Sequence, residues 1–137
     1  MAKKSVMRKA CEVAQCLAKL SETDENGYGK CKSCGEMFSW GALQGGHFQP
    51  KGNSYNGACL DERNIHVQCA GCNLCKGGNP AGYLKFMIEE FGEDIGEELH
   101  LLSCQVSDTE FAKQFIIEGR AKCREMAKDK SCHVRIP

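Results

Sequence analysis

No stretch of this sequence approaches the roughly 20 consecutive apolar residues that a membrane-spanning helix needs. No membrane is therefore expected among its partners. The first ten residues, Met-Ala-Lys-Lys-Ser-Val-Met-Arg-Lys-Ala, contain no apolar signal-peptide core, so the expected compartment is the cytoplasm. Net charge is also lacking. The 18 Lys and Arg balance 18 Asp and Glu, which argues against a protein that coats nucleic acid indiscriminately. There are no internal repeats and no low-complexity linkers. The 137 residues read as a single domain, with enough chain for a core but small enough to benefit from a metal staple.

What the chain has in excess is cysteine. Eleven is an odd number, so complete internal pairing is impossible. Without a secretory signal, cysteines at CxxC spacing point to metal rather than to disulfides. Cys11, Cys16, Cys104 and Cys123 sit in apolar or helical contexts and read as small buried hydrophobes. The charge is unevenly spread. Lys3, Lys4, Arg8 and Lys9 crowd one end, and Arg120, Lys122, Arg124, Lys128, Lys130 and Arg135 the other. An acidic stretch lies between them, from Glu89 to Glu98. Basic ends suit phosphates, and equally suit ordinary solvated helix faces.

Periodicity gives the elements. Val6, Ala10, Val13, Leu17 and Leu20 recur at helical spacing and predict a helix from about Ser5 to Lys19. Asn26-Gly-Tyr-Gly29 breaks it. Residues 35–48 read as short strands and turns, and residues 49–60, rich in Gly and Asn, as a loop. Residues 64–68 are a strand candidate, and 69–76 a short helix ended by Gly77-Gly78. Asn79-Pro80 reads as a cap and first turn, with Tyr83, Phe86, Met87 and Phe91 on one face. Gly92 ends that helix, and Ile95, Leu99 and Leu102 predict another short one. Ser107-Asp-Thr-Glu110 matches a capping box, opening a helix to about Lys128 with Phe111, Phe115 and Ile116 as core candidates.

Chemistry concentrates between the first and second of these helices. Cys31-Lys-Ser-Cys34 and Cys69-Ala-Gly-Cys72 are two knuckles, each presenting two sulfurs on one side of a tight turn. Four thiolates are a typical structural zinc set. Cys72 and Cys75 repeat the same spacing and compete with Cys69 and Cys72. The latter pair is preferred because it places Asn73 next to the last ligand. His47, following Gly46, lies between the two knuckles.

The segment from Cys31 to Asn79 resembles the HNH/endonuclease VII-like ββα-metal nucleases, nearest to the lambdoid phage NinG (Rap) recombination protein family. The resemblance is carried by Cys-Lys-Ser-Cys-Gly, Gly-His-Phe, Asp-Glu-Arg-Asn-Ile-His, Gln-Cys-Ala-Gly-Cys-Asn and Lys-Gly-Gly-Asn. It implies an α+β fold: a small ββα-metal (His-Me finger) core with a four-cysteine zinc site, wrapped by N- and C-terminal helices. Within the single domain 1–137, residues 1–27 would form the N-terminal helix, 28–79 the zinc-stapled core and 80–137 the C-terminal helices. The resemblance implies His47 as general base, Asn64 as the brace that keeps it oriented, and Asn73 as ligand to a catalytic Mg²⁺ or Mn²⁺, beside a structural Zn²⁺. Many HNH nucleases carry an aspartate, a second metal ligand, directly before the histidine. Here that place is Gly46. His66 is the first candidate to replace it, since it shares a strand face with Asn64, and Asp61 the second.

The expected function is a metal-dependent DNA endonuclease acting on branched recombination intermediates such as Holliday junctions. Symmetric cutting of a junction needs two active sites and hence a homodimer. The expected setting is the cytoplasm of a bacterial host, from a phage or prophage. The alternative is a non-catalytic zinc-stabilised module that binds nucleic acid or protein. A third reading, a thiol redox protein, would leave the CxxC thiols free of metal.

Overall fold

The periodic apolar face at the N-terminal end produces the longest packing surface of the fold. In the computed structural model, which describes residues 2–53 and 55–137, helix α1 spans Lys3–Ser21 and buries Val6, Ala10, Val13 and Leu20. It is about a turn longer than the pattern predicts. It ends where Ser21 Oγ donates to the Leu17 carbonyl and Thr23 Oγ1 to that of Lys19, satisfying acceptors that a helix terminus leaves free.

Two small antiparallel ribbons follow. β1 (Gly29–Lys30) pairs with β2 (Met37–Phe38) and brackets the first cysteine knuckle. After a 3₁₀ turn at Trp40–Ala42, β3 (Leu43–His47) pairs with β4 (Ile65–Cys69) in the register Leu43↔Cys69 to His47↔Ile65. The loop between them closes through a second 3₁₀ turn, Glu62–Asn64. A five-residue π-helical turn, Gly71–Cys75, follows β4. Then come α2 (Pro80–Phe91), α3 (Ile95–Ser103) and α4 (Thr109–Ala127). The result is a mixed α+β architecture, as the sequence suggests. No helix among the described residues is long and apolar enough to cross a membrane.

The β3–β4 ribbon lies between helices. Side chains alternate across a strand. Ile65 packs with Ala14 and Ala18 of α1 on one side. On the other, Tyr83 and Met87 of α2 form a cluster with Ile95 and Leu99 of α3. Helix α4 covers the far side of α1, through Cys16, Val13 and Cys123 in one cluster and Met7, Cys11 and Ala112 in another. Gly119 permits this approach, because a Cβ there would stand 2.5 Å from Val13 Cγ1. The ribbon is thus held between α1 on one face and α2 with α3 on the other.

Four local expectations are corrected. Asp108, not Ser107, caps α4, accepting from the N–H groups of Glu110 and Phe111. Asn79 precedes α2 in a left-handed conformation (φ 44°) and makes no capping bond; its amide is engaged elsewhere. Phe111 is 58 % exposed, because α4 turns Ala112, Phe115 and Ile116 toward α1 instead. Cys104, expected inside, is exposed, while Cys11, Cys16 and Cys123 are buried.

Candidate functional site

The two CxxC knuckles meet. The Sγ atoms of Cys31, Cys34, Cys69 and Cys72 all lie within 4.8 Å of one another, a set that can hold one tetrahedral ion, and an all-cysteine set suits zinc. Cys31 comes from the turn between β1 and β2, Cys69 from the end of β4, and Cys72 from the π-helical turn. Cys75 is exposed and outside the cluster, which settles the competition between overlapping pairs. The sulfurs receive N–H donors. The Cys72 N–H points to Cys69 Sγ at 3.4 Å, and Asn79 Nδ2 donates to Cys72 Sγ at 3.3 Å. Burial opposes ionisation of Cys31, yet N–H groups of Cys34, Cys69 and Ser33 hold its pKa down at about 7. Such donors stabilise the thiolate form that a metal requires. This is where the Asn79 side chain is spent.

His47 ends β3. Its Nε2 lies 2.9 Å from the Cys59 carbonyl oxygen. A carbonyl only accepts, so Nε2 carries the proton and Nδ1 keeps its lone pair. Burial lowers the pKa of His47 to about 4, opposed by the Cys59 carbonyl and assisted by the charge of Lys51. The ring is therefore neutral over the physiological range.

Asn64 is fully buried and uses its whole amide. Oδ1 accepts from the Gln49 N–H at 2.7 Å, and Nδ2 donates to the carbonyls of Gln49 and Ala58, both at 3.0 Å. It therefore ties the start of the loop to its end, one residue before Cys59. The carbonyl that orients His47 is held by the residue next to it.

Asn73 lies in the π-helical turn. Its Nδ2 donates to Gln44 Oε1 at 2.7 Å, and its Oδ1 faces Gly46. A Cβ on Gly46 would stand 3.2 Å from that oxygen and would overlap Oε1 of Gln68. Gln44 pairs with Gln68 and Gly46 with His66 across the ribbon, so all four share a face. Gly46 is fixed further by Tyr83, whose hydroxyl donates to the Gly46 carbonyl at 2.6 Å and accepts from the His66 N–H at 3.0 Å. Burial pushes the Tyr83 pKa up, keeping that hydroxyl protonated.

The two proposed replacements for the missing aspartate do not reach this place. Both ring nitrogens of His66 are committed, Nδ1 to Glu22 Oε2 at 2.9 Å and Nε2 to the Arg63 carbonyl at 2.8 Å. Its ring packs against Phe86 at 4.9 Å. Asp61 caps the turn before Asn64 and is paired with the Arg63 guanidinium at 3.0 Å. The sequence reading missed Gln68 and Tyr83. For Gln68 a signal existed: strand alternation places it on the face of Asn64 and His66, one residue before a zinc-type cysteine.

Comparisons with known proteins agree on one family. The family model described as "Bacteriophage Lambda NinG protein" matches residues 3–130. The chain is 37 % identical over 71 residues to "Protein ninG" of Escherichia phage 933W, covering 50 % of this chain and 33 % of that protein. It is 41 % identical over 71 residues to "Protein ninG" of Salmonella phage P22, with the same coverage. The matched segment thus spans about a third of the length of these curated relatives. No solved structure matches.

Proposed function

The chain belongs to the NinG family of bacteriophage proteins, and from that premise we propose that it is a metal-dependent endonuclease of the HNH type, hydrolysing phosphodiester bonds of DNA. The observation that carries the reading is the coupled placement of His47, Asn64 and Asn73. A neutral imidazole has its tautomer fixed by Cys59, the loop behind it is braced by Asn64, and an amide oxygen faces the adjacent strand position. A lone histidine in a loop would need none of this.

The chemistry follows from the strand. Neighbouring residues of a strand point to opposite faces, so His47 and the space beside Gly46 flank the end of β3. In-line hydrolysis at phosphorus sets the entering oxygen opposite the leaving oxygen; here the first is assigned to His47 and the second to the cation side beside Gly46. His47 Nδ1 accepts a proton from water as the water oxygen bonds to phosphorus. The P–O3′ bond breaks, and the 3′ oxygen takes a proton from solvent. The products are a 5′-phosphate and a 3′-hydroxyl. A divalent cation such as Mg²⁺ or Mn²⁺, held by Asn73 Oδ1, would supply charge stabilisation to the phosphate and the leaving oxygen. Hard, neutral amide oxygens suit such a cation, which retains several waters and needs few protein ligands. Zinc held by the four cysteines would take no part in this step; bound at Cys69 and Cys72, it would pin the end of β4 to the π-helical turn that carries Asn73.

The substrate we infer is branched DNA of the kind formed in recombination, recognised through backbone and shape more than through bases, and cut by a homodimer. One observation favours a second reading, a non-catalytic zinc module: glycine stands where many HNH nucleases have a metal-binding aspartate. End analysis discriminates. Incubation of supercoiled plasmid with the zinc-loaded protein and Mn²⁺ is expected to give nicks with 5′-phosphate and 3′-hydroxyl ends, lost in His47→Ala. An uncut plasmid with well-folded protein would select the binding module.

A further inference from the structure

Gly46 is not a glycine for reasons of backbone. Its φ is not in the left-handed region, unlike those of Gly27, Gly35 or Gly92, so any residue could adopt its conformation. What excludes a side chain is Gln68, whose Oε1 occupies the volume that a Cβ would take.

That oxygen is unusual in itself. Gln68 is fully buried, and its Oε1 has no hydrogen-bond partner among the described residues. Its orientation is fixed by the other end of the amide. Nε2 donates to the Gly78 carbonyl and to Ser33 Oγ, both at 2.7 Å. Turning the amide over would set two acceptor oxygens against each other at Gly78. Leaving a buried amide oxygen without a donor is unfavourable, so it calls for a partner that is not protein. Asn73 Oδ1 faces the same space: it stands 3.2 Å from the position a Gly46 Cβ would take, the position Gln68 Oε1 already occupies. Two acceptor oxygens converging without a donor repel each other unless something positive lies between them.

We propose that Gln68 Oε1 is the second protein ligand of the divalent cation, replacing the aspartate that Gly46 lacks. The ligand has moved from β3 to the neighbouring strand β4 while addressing the same space. Two neutral amides make a weaker site than an amide and a carboxylate, because no ligand charge attracts the ion. The site therefore favours a cation that also gains from the phosphate of bound DNA. The donor to Ser33 Oγ links this ligand to the first knuckle, so zinc loading fixes its position.

This inference rests on the nuclease reading, and its test separates the two. Mn²⁺ binding to the zinc-loaded protein, without DNA, is followed by the loss of the free-ion electron paramagnetic resonance signal. Gln68→Met keeps length and burial but removes the oxygen. It is expected to weaken Mn²⁺ binding by at least about tenfold, the scale already seen for groups one step removed from a metal, while zinc content stays at wild-type level. The double variant Gly46→Asp/Gln68→Ala places a carboxylate in the vacated volume and is expected to bind Mn²⁺ at least as tightly as wild type. It also controls for the lost bonds to Ser33 and Gly78, which both variants share. Mn²⁺ binding that is absent in wild type, or unchanged in Gln68→Met, overturns the assignment. Gln68-dependent binding without any DNA cleavage would keep the ligand and remove the nuclease. Cleavage with Gln68-independent binding would do the reverse.

Discussion

The orientation of His47 is controlled by Asn64 through a single intervening residue. Asn64 Nδ2 holds the Ala58 carbonyl, and the next carbonyl, that of Cys59, accepts from His47 Nε2. The same amide closes the other end of the loop at Gln49. The 17-residue connection between β3 and β4 is thereby tied at both ends around one imidazole.

Removing that brace is expected to cost both stability and activity. Asn64→Ala strands the Gln49 N–H and two carbonyls in a buried setting, with an expected loss of about 3 kcal/mol in urea unfolding. Asn64→Asp keeps the acceptor for Gln49 N–H but turns an oxygen against the carbonyls of Gln49 and Ala58, and is expected to be no better. In both variants cleavage should fall further than zinc content, because the zinc cysteines make no bond to Asn64. Full activity in a stably folded Asn64→Ala would remove the cradle from the mechanism.

The depressed pKa of His47 has a sign that can be tested. An unfolded chain takes up the imidazole proton near 6.5, whereas the folded one waits until about 4. Between these values the unfolded state binds more protons, so stability is full above about pH 6.5 and falls as pH drops toward 4. The slope is at most about 1.4 kcal/mol per pH unit. Acid also releases zinc from thiolates, so the measurement is the difference between wild type and His47→Gln across that range. The stability gap should narrow or reverse in favour of the variant on acidification. The acidic limb of cleavage should likewise lie well below 6.5; a midpoint at 6.5 would mean that His47 is not desolvated.

The cysteine set makes a sharp prediction about overlapping motifs. Cys75→Ser should retain one zinc per chain, since Cys75 is exposed and outside the sulfur cluster. Cys69→Ser should lose zinc and unfold the end of β4 together with the π-helical turn. Asn79→Ala is expected to keep the metal but to hold it less tightly, because Cys72 Sγ loses its amide donor. Metal analysis after dialysis against a mild chelator ranks the three. Zinc loss in Cys75→Ser would reverse the assignment.

The cysteine cluster was legible because it depends on the spacing of two CxxC pairs, and the helical periods of α1 and α2 come from their own buried faces. His47, Asn64 and Asn73 were singled out by the family resemblance rather than by spacing. What sequence could not give was decided by contacts between distant segments. His66 looked free for a metal because its strand face was right, but Glu22, 44 residues away, takes one ring nitrogen. Gln68 looked unremarkable because its orphaned oxygen arises from bonds to Ser33 and Gly78. Asn79 looked like a cap because that is what asparagine before proline usually does, and a thiol sulfur competed successfully for its amide. Phe111 carried the helical period but fell on the side of α4 turned away from α1.

The central claim is that His47 drives metal-dependent cutting of DNA. Its most direct test compares a four-way junction with a matched linear duplex, with and without Mg²⁺ or Mn²⁺, using zinc-loaded wild type and His47→Ala. The account predicts cutting only with the divalent cation, preference for the junction, and loss in the variant by at least about a hundredfold, the contribution of a general base. Cutting that survives His47→Ala unchanged, or no cutting of either substrate by folded, zinc-loaded wild type, would contradict it.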